Sequence, residues 1–403
     1  MTSQQMDMFM QNKRIIDSDR HVMEPLDMWR QYVDDAVFAR YPLSLVHDTE
    51  EAMQERVKRL GFAASKKLPP TFMIGDKTVL SGWGEALQLA CLEVKNSEAE
   101  RLKAMSPDTQ LASMDEANIA VASIFPTFGG MIVNHNHIPA EVSLAYADGY
   151  NSWLKQYCDY DPGRLNAVGL ISRHDPNTML AQLDRIIANG WRCITLRPEV
   201  VAGRALGHHD YEAFWQACES NGVSIAIHGG THANLPTAGT ERFDSHFAMH
   251  ACSHSMEIQM AFLSLLDAGV LERYPTLKFA FLEAGASWLP HWLWRLDNIC
   301  YPEFPSLTKD TITMPPSEYF KRQCWVSIEL GEPCLRQVID IIGPDKLLYG
   351  TDYPHPDHLQ FTTKDIAAQL DDLSEAELHN LLDSNASNFF SLDSNLASHQ
   401  ARR

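Results

Sequence analysis

The chain has 403 residues, a net charge of −19, 45% hydrophobic residues and 21% charged residues. That composition can bury a full core and excludes a disordered chain. The acidic balance argues against nucleic acid as a partner and offers no basic patch to an anionic membrane.

The N-terminal stretch MTSQQMDMFMQNKR is polar and mixed, with no apolar signal core, and nowhere is there a run of about 18 apolar residues. A soluble, cytoplasmic protein without a membrane partner is therefore expected. None of the eight cysteines forms C-x-x-C, so neither a zinc ribbon nor a disulfide framework is suggested.

In chain order, the first apolar run is RIIDSDRHV (14–22). Alternation along a strand puts Asp19 and His21 on one side and points Arg20 outward. Segment 30–115 follows, in which DMWRQYVDD, EEAMQERVKRLGF and SEAERLKAMSP read as helices around a turn at Pro69-Pro70. We read it as a cap or oligomer-contact segment inserted within a single domain spanning 1–403.

The second and third apolar runs are NIAVASIFP (118–126) and LNAVGLIS (165–172), the latter leading to His174. Asp175 can cap a helix over 176–189 that stops at Gly190. RCITLRP (192–198) ends in Arg197, and a helix is expected over 209–221. VSIAIHG (223–229) ends in His228 and opens a second insertion, 231–254, where His250 and His254 stand four apart.

A helix over 255–268 precedes LKFAFLEAG (277–285), which carries Glu283, and the tryptophans 288, 292 and 294 after it read as core. QCWVSIEL (323–330) carries Glu329, a helix is expected over 333–342, and KLLYGTD (346–352) ends in Asp352, with His355 just beyond. Ser374 and Glu377 form a capping box for a last helix. Continuous apolar runs read as strands buried on both faces, and eight of them alternating with helices predict an α/β fold, a (β/α)8 TIM barrel with a helical insertion between strands one and two.

Reactive groups of such barrels sit at the C-terminal strand ends. Asp19 and His21 on strand one, His228 on strand five and Asp352 on strand eight form a four-ligand set. It suits one zinc-like divalent ion with a position left for water. Each residue has a plainer alternative: a capped turn for Asp19 and His21, a buried hydrogen-bonded histidine for His228, a turn residue for Asp352.

With Asp19/His21 in IDSDRHVMEP, His228 in IAIHGG, the segment GVLERYPTLKFAFLEAGASWLPHWLWRLD and Asp352 in LLYGTDYPHPD, the chain resembles the amidohydrolase superfamily. The likeness is to the branch that includes aminocarboxymuconate semialdehyde decarboxylase. Through HFAMHACSHSMEIQMAF it also resembles the bottromycin-type biosynthetic amidohydrolases. The resemblance implies metal ligation by residues 19, 21, 228 and 352, Asp352 as general base, and a homodimer.

Three positions depart from the family pattern. Asp19 replaces a histidine and widens the choice of metal from Zn²⁺ toward Mn²⁺. Arg197 stands where binuclear relatives carry a carbamylated lysine, so one metal is expected. Glu283 stands where the decarboxylases carry a catalytic histidine, which puts their route in doubt and leaves Glu283 as a catalytic or orienting carboxylate. The expected activity is hydrolysis of an amide-type C–N bond in a small molecule or modified peptide, the alternatives being nonoxidative decarboxylation or a scaffold without turnover. Arg197, His174, His254 and His355 are the candidate substrate contacts, Arg197 as a grip on a carboxylate.

Overall fold

The computed structural model describes residues 13–47, 49–60, 71–80, 97–230, 235–243, 245–355, 370 and 372–392. The chain enters through strand β1 (Ile16–His21). Segment 30–115 then contributes a small antiparallel sheet of β2 (Leu43–Val46), β3 (Thr71–Ile74) and β4 (Lys77–Leu80), together with helices that include Glu50–Leu60 and Pro107–Glu116. Only helices were expected there. The missed signal is Gly75-Asp76 between two short apolar runs: Gly75 takes φ 58°, which a side chain disfavours, and so turns β3 into β4. The expected turn at Pro69-Pro70 lies outside the described residues.

The remaining strands fall within the apolar runs. They are β5 (Val121–Phe125), β6 (Leu165–Ala167) with its continuation β7 (Gly169–Leu170), β8 (Cys193–Leu196), β9 (Ser224–His228), β10 (Phe279–Leu282), β11 (Cys324–Ile328) and β12 (Leu347–Tyr349). All pair in parallel, from β1 through β5 to β6 and from β7 in sequence to β12. Val168 N–H donates to the Ile124 carbonyl at 3.3 Å and bridges the break between β6 and β7. Asp352 N–H donates to the Asp19 carbonyl at 2.8 Å and His21 N–H to that of Tyr353 at 2.7 Å, closing the (β/α)8 barrel.

Alternation along these strands builds two apolar layers. Ile16, Val121, Phe125, Ala226, Leu282 and Leu348 fill the barrel, whereas Ile124, Ile225, Ile227, Phe279, Phe281 and Val326 face outward into the main core under the helices. The helix Asn385–Phe390 adds Phe389 and Phe390 to the inner layer, with Phe389 5.5 Å from the Trp325 ring. Asp175 caps the helix Pro176–Ala188, accepting from Asn177 N–H, and the Ser374–Glu377 capping box forms. Trp288 and Trp292 pack on the core, but Trp294 is 56% exposed, contrary to its expected burial. Among the described residues no helix is long and apolar enough to cross a membrane.

Candidate metal centre at the C-terminal face of the barrel

His228 continues the inward parity of Ala226, and β1 turns Asp19 and His21 inward at the same end. Asp19 Oδ1 lies 2.9 Å from His228 Nε2 and 3.2 Å from His21 Nε2. Asp352 Oδ1 lies 3.2 Å from the same His21 nitrogen. All four residues are buried. Asp19, His21 and His228 form one group of side chains able to hold an ion, and His21, Asp352 and His355 form another that shares His21.

The hydrogen bonds settle which nitrogens face the site. His21 Nδ1 faces the Pro126 carbonyl at 3.0 Å, an acceptor only, so Nδ1 carries a proton and Nε2 is the nitrogen turned into the site. That buried Nε2 has no hydrogen-bond partner, yet it sits between two carboxylate oxygens. His228 Nδ1 faces the Gly229 carbonyl and Glu283 Oε2, each at 3.1 Å, which leaves Nε2 turned to Asp19. Each Nε2 thus faces carboxylate oxygens across a gap that only positive charge, a proton or a metal cation, can bridge favourably.

The titration of these groups carries the same message. Burial opposes charge on His21, yet Asp19 and Asp352 take its pKa up to about 9. Burial likewise opposes charge on His228, but Asp19 and Glu283 hold it well above the usual imidazole range. Glu283 is held well below the usual carboxylate range, against burial and Asp352, by His228 and His254. The pocket attracts positive charge, and a donor set of two carboxylates and two imidazoles fits one divalent ion.

Glu283, just after β10, and Asp352, three residues beyond β12, have φ 58° and 51°. Such left-handed backbone is costly for a residue with a side chain and clusters at functional sites. Glu283 spans two imidazoles, His228 Nδ1 at 3.1 Å and His254 Nε2 at 3.5 Å.

The expected substrate contacts are held in different ways. His174 Nε2 meets the His135 carbonyl at 3.1 Å, and His355 Nδ1 meets Asp352 Oδ1 at 2.6 Å. The Arg197 fork expected to grip a substrate carboxylate is taken up by Glu199 through Nε and Nη2, and Nη1 donates to the Gly229 carbonyl at 2.7 Å. Glu329 is exposed, its N–H donating to Glu332. Two participants were missed in the sequence. Thr127 follows β5 at the same barrel end, and Glu24 accepts the N–H groups of Thr127, Phe128 and Gly129. Reading the end of strand two as the other strand ends were read would have found Thr127.

Residues 16–392 match the protein family described as Amidohydrolase. A curated relative, the 2-amino-3-carboxymuconate-6-semialdehyde decarboxylase of Dictyostelium discoideum, is 25% identical over 293 residues, 72% of this chain and 77% of its own. A solved amidohydrolase from Mycobacterium avium subsp. paratuberculosis superposes with a TM-score of 0.73 at 21% identity, over 94% of this chain and 99% of its own. The 5-carboxyvanillate decarboxylase of Novosphingobium aromaticivorans, solved with manganese and 3-methoxy-4-hydroxy-5-nitrobenzoic acid, superposes with a TM-score of 0.67 at 19% identity, over 95% of this chain and 98% of its own.

Proposed function

Because this chain belongs to the amidohydrolase family, we propose that it is a metal-dependent, nonoxidative decarboxylase acting on a carboxylic acid with a hydroxyl or oxo group on the neighbouring carbon. This reverses the order of the two reactions read from the sequence. The relatives named for a reaction are decarboxylases, and 5-carboxyvanillate by its name sets a carboxyl beside a phenolic hydroxyl. The observation that carries the proposal is the gathering of Asp19, His228 and Asp352 about His21 at the C-terminal face, with Asp19 and Asp352 each 3.2 Å from His21 Nε2 and Asp19 2.9 Å from His228 Nε2.

Asp19, His21, His228 and Asp352 would hold one divalent ion, Mn²⁺ or Zn²⁺. When bound, the ion supplies positive charge that binds the vicinal oxygens and stabilises charge developing there. The carboxyl of Asp352 gives its proton to the carbon that bears the carboxylate. The carbon–carbon bond then breaks, its electron pair restores the conjugated system, CO2 leaves, and Asp352 takes a new proton from water. Glu283 holds His228 through Nδ1, the usual way a carboxylate orients a metal-binding imidazole. The doubt raised by Glu283 in place of a histidine eases because Glu283 itself brings the His254 imidazole beside it.

The test is product detection with protein stripped of metal and reloaded with Mn²⁺ or Zn²⁺. 2-Hydroxybenzoate-type acids should release CO2, and Asp352→Asn should slow release by about 10³-fold, within the range for removing a general acid. Turnover of amides with no CO2 from any acid would overturn the proposal and restore hydrolysis.

A further inference from the structure

We propose that His355 is a positioning residue that holds Asp352 in place, itself held by Thr127, and does not bind substrate. The inference rests on the metal-centre reading of the same site. His355 Nδ1 lies 2.6 Å from Asp352 Oδ1, an oxygen that only accepts, so Nδ1 carries the proton and donates it. Nε2 is then an acceptor, and it lies 3.0 Å from Thr127 Oγ1, whose hydroxyl donates to it. Both ring nitrogens are committed, which leaves none for a substrate.

The other end of the chain is anchored. The carboxylate of Glu24, buried and spread over the Thr127, Phe128 and Gly129 N–H groups at 3.2, 3.0 and 2.9 Å, fixes the backbone that carries the Thr127 hydroxyl. The His355 ring also lies 4.2 Å from that of His21, at 36°. One side chain thus packs on one candidate ligand and hydrogen-bonds another, whose backbone is in a left-handed conformation at φ 51°. The backbone of Asp352 is held there by its N–H on the Asp19 carbonyl at 2.8 Å and by its own carbonyl, which accepts from His355 N–H at 2.9 Å; the His355 ring adds the contact that fixes the carboxylate.

Mn²⁺ affinity, read by the electron paramagnetic resonance of free ion, tests the chain without relying on turnover. His355→Phe keeps a flat ring against His21 and removes both nitrogens; it should weaken Mn²⁺ binding by tenfold to a hundredfold, the usual loss for a residue that orients a ligand. His355→Asn keeps a donor near the Nδ1 position and should recover most of that loss. Thr127→Val should weaken binding by about threefold to tenfold, and combined with His355→Phe it should add nothing, because both act through one chain. At saturating Mn²⁺, kcat should fall in His355→Phe with KM nearly unchanged.

Wild-type Mn²⁺ affinity in His355→Phe together with a raised KM would overturn the inference and make His355 a substrate contact. Additive losses in the double variant would overturn the link to Thr127. Failure of the wild-type protein to bind Mn²⁺ or Zn²⁺ would instead overturn the metal-centre reading, and the inference with it, and the wild-type arm tells these outcomes apart.

Discussion

Asp19 owes its position to a neighbour without a side chain. A Cβ on Gly350 would lie 2.6 Å from Asp19 Cβ and 3.4 Å from its backbone nitrogen, so one of the two must move. Gly350→Ala is therefore expected to shift the carboxylate that faces both His21 and His228 and to weaken Mn²⁺ binding by about tenfold. Isothermal titration calorimetry checks this, with a melting curve to show that the barrel is intact; unchanged affinity would remove Gly350 from the account. Glu257 makes a second prediction away from the ligands. Burial and the nearby Glu199 push its pKa up to about 7, against the Ala238 N–H and Arg197, which lower it. The folded state then holds a proton that the unfolded chain, with an ordinary carboxyl, releases at lower pH. The stability this proton contributes is full below about pH 4.5 and is lost as pH rises through about 7. Glu257→Gln, which can still accept from Ala238 N–H, should gain in melting temperature over wild type at pH 8 and show little difference at pH 4.5. A gain equal at both values would show that Glu257 does not titrate in this window.

On strand β1 the pairing register slips. Asp17 pairs with Ala122 and Arg20 with Ile124, three steps on β1 against two on β5. The extra residue is a bulge, which re-aims side chains near strand ends. It puts Asp17 on the outer side with Arg20 and leaves Asp19 and His21 inside. There Arg20 Nη1 meets Asp17 Oδ2 at 3.3 Å, Nη2 meets Ser113 Oγ, and the guanidinium lies 4.0 Å over the Tyr353 ring. Thr351 donates to Asp17 through N–H at 2.9 Å and through its hydroxyl at 2.6 Å. This buried pair clasps β1 to the segment after β12, just below the site. Arg20→Met should cost about 3–5 kcal/mol because it strands a buried carboxylate, and adding Asp17→Asn should recover part of that. Denaturant titration of both variants decides it; a loss below 1 kcal/mol for Arg20→Met would mean that the pair carries little of the closure. Simple alternation in the sequence set residues 19 and 21 apart from Arg20, but the outward turn of Asp17 was not legible, because a bulge leaves no mark in the hydrophobic pattern. The burial of Arg20 was not legible either: its partners Ser113 and Tyr353 come from distant segments. The strands themselves could be read because each is a short apolar run with a clear end. Thr127 could have been read by the same rule, whereas the engagement of Arg197 with Glu199 depends on side-chain conformations that no spacing encodes.

Across the whole molecule, chemistry and closure sit at opposite ends of the barrel. The carboxylates and imidazoles gather where β1, β9 and β12 end, while Phe389 and Phe390 from the last helix join the inner layer beside Trp325, next to the start of β11. The arrangement follows from the parallel sheet: all strands expose their C-terminal ends on one face, which collects loops and polar groups, and the other face must be shut by apolar side chains. Phe389 is fully buried. Its truncation to alanine should destabilise the fold by about 3–5 kcal/mol, through lost transfer energy and the cavity left behind. The metal-holding side chains should hardly notice, because distant and separately packed sites behave additively. Phe389→Ala is therefore expected to unfold at lower denaturant while its Mn²⁺ affinity at 25 °C, under conditions where it is fully folded, stays within twofold of wild type. Parallel loss of affinity and stability would mean that the inner layer transmits the position of the plug to the ligands, and that the two ends of this barrel form one mechanical unit.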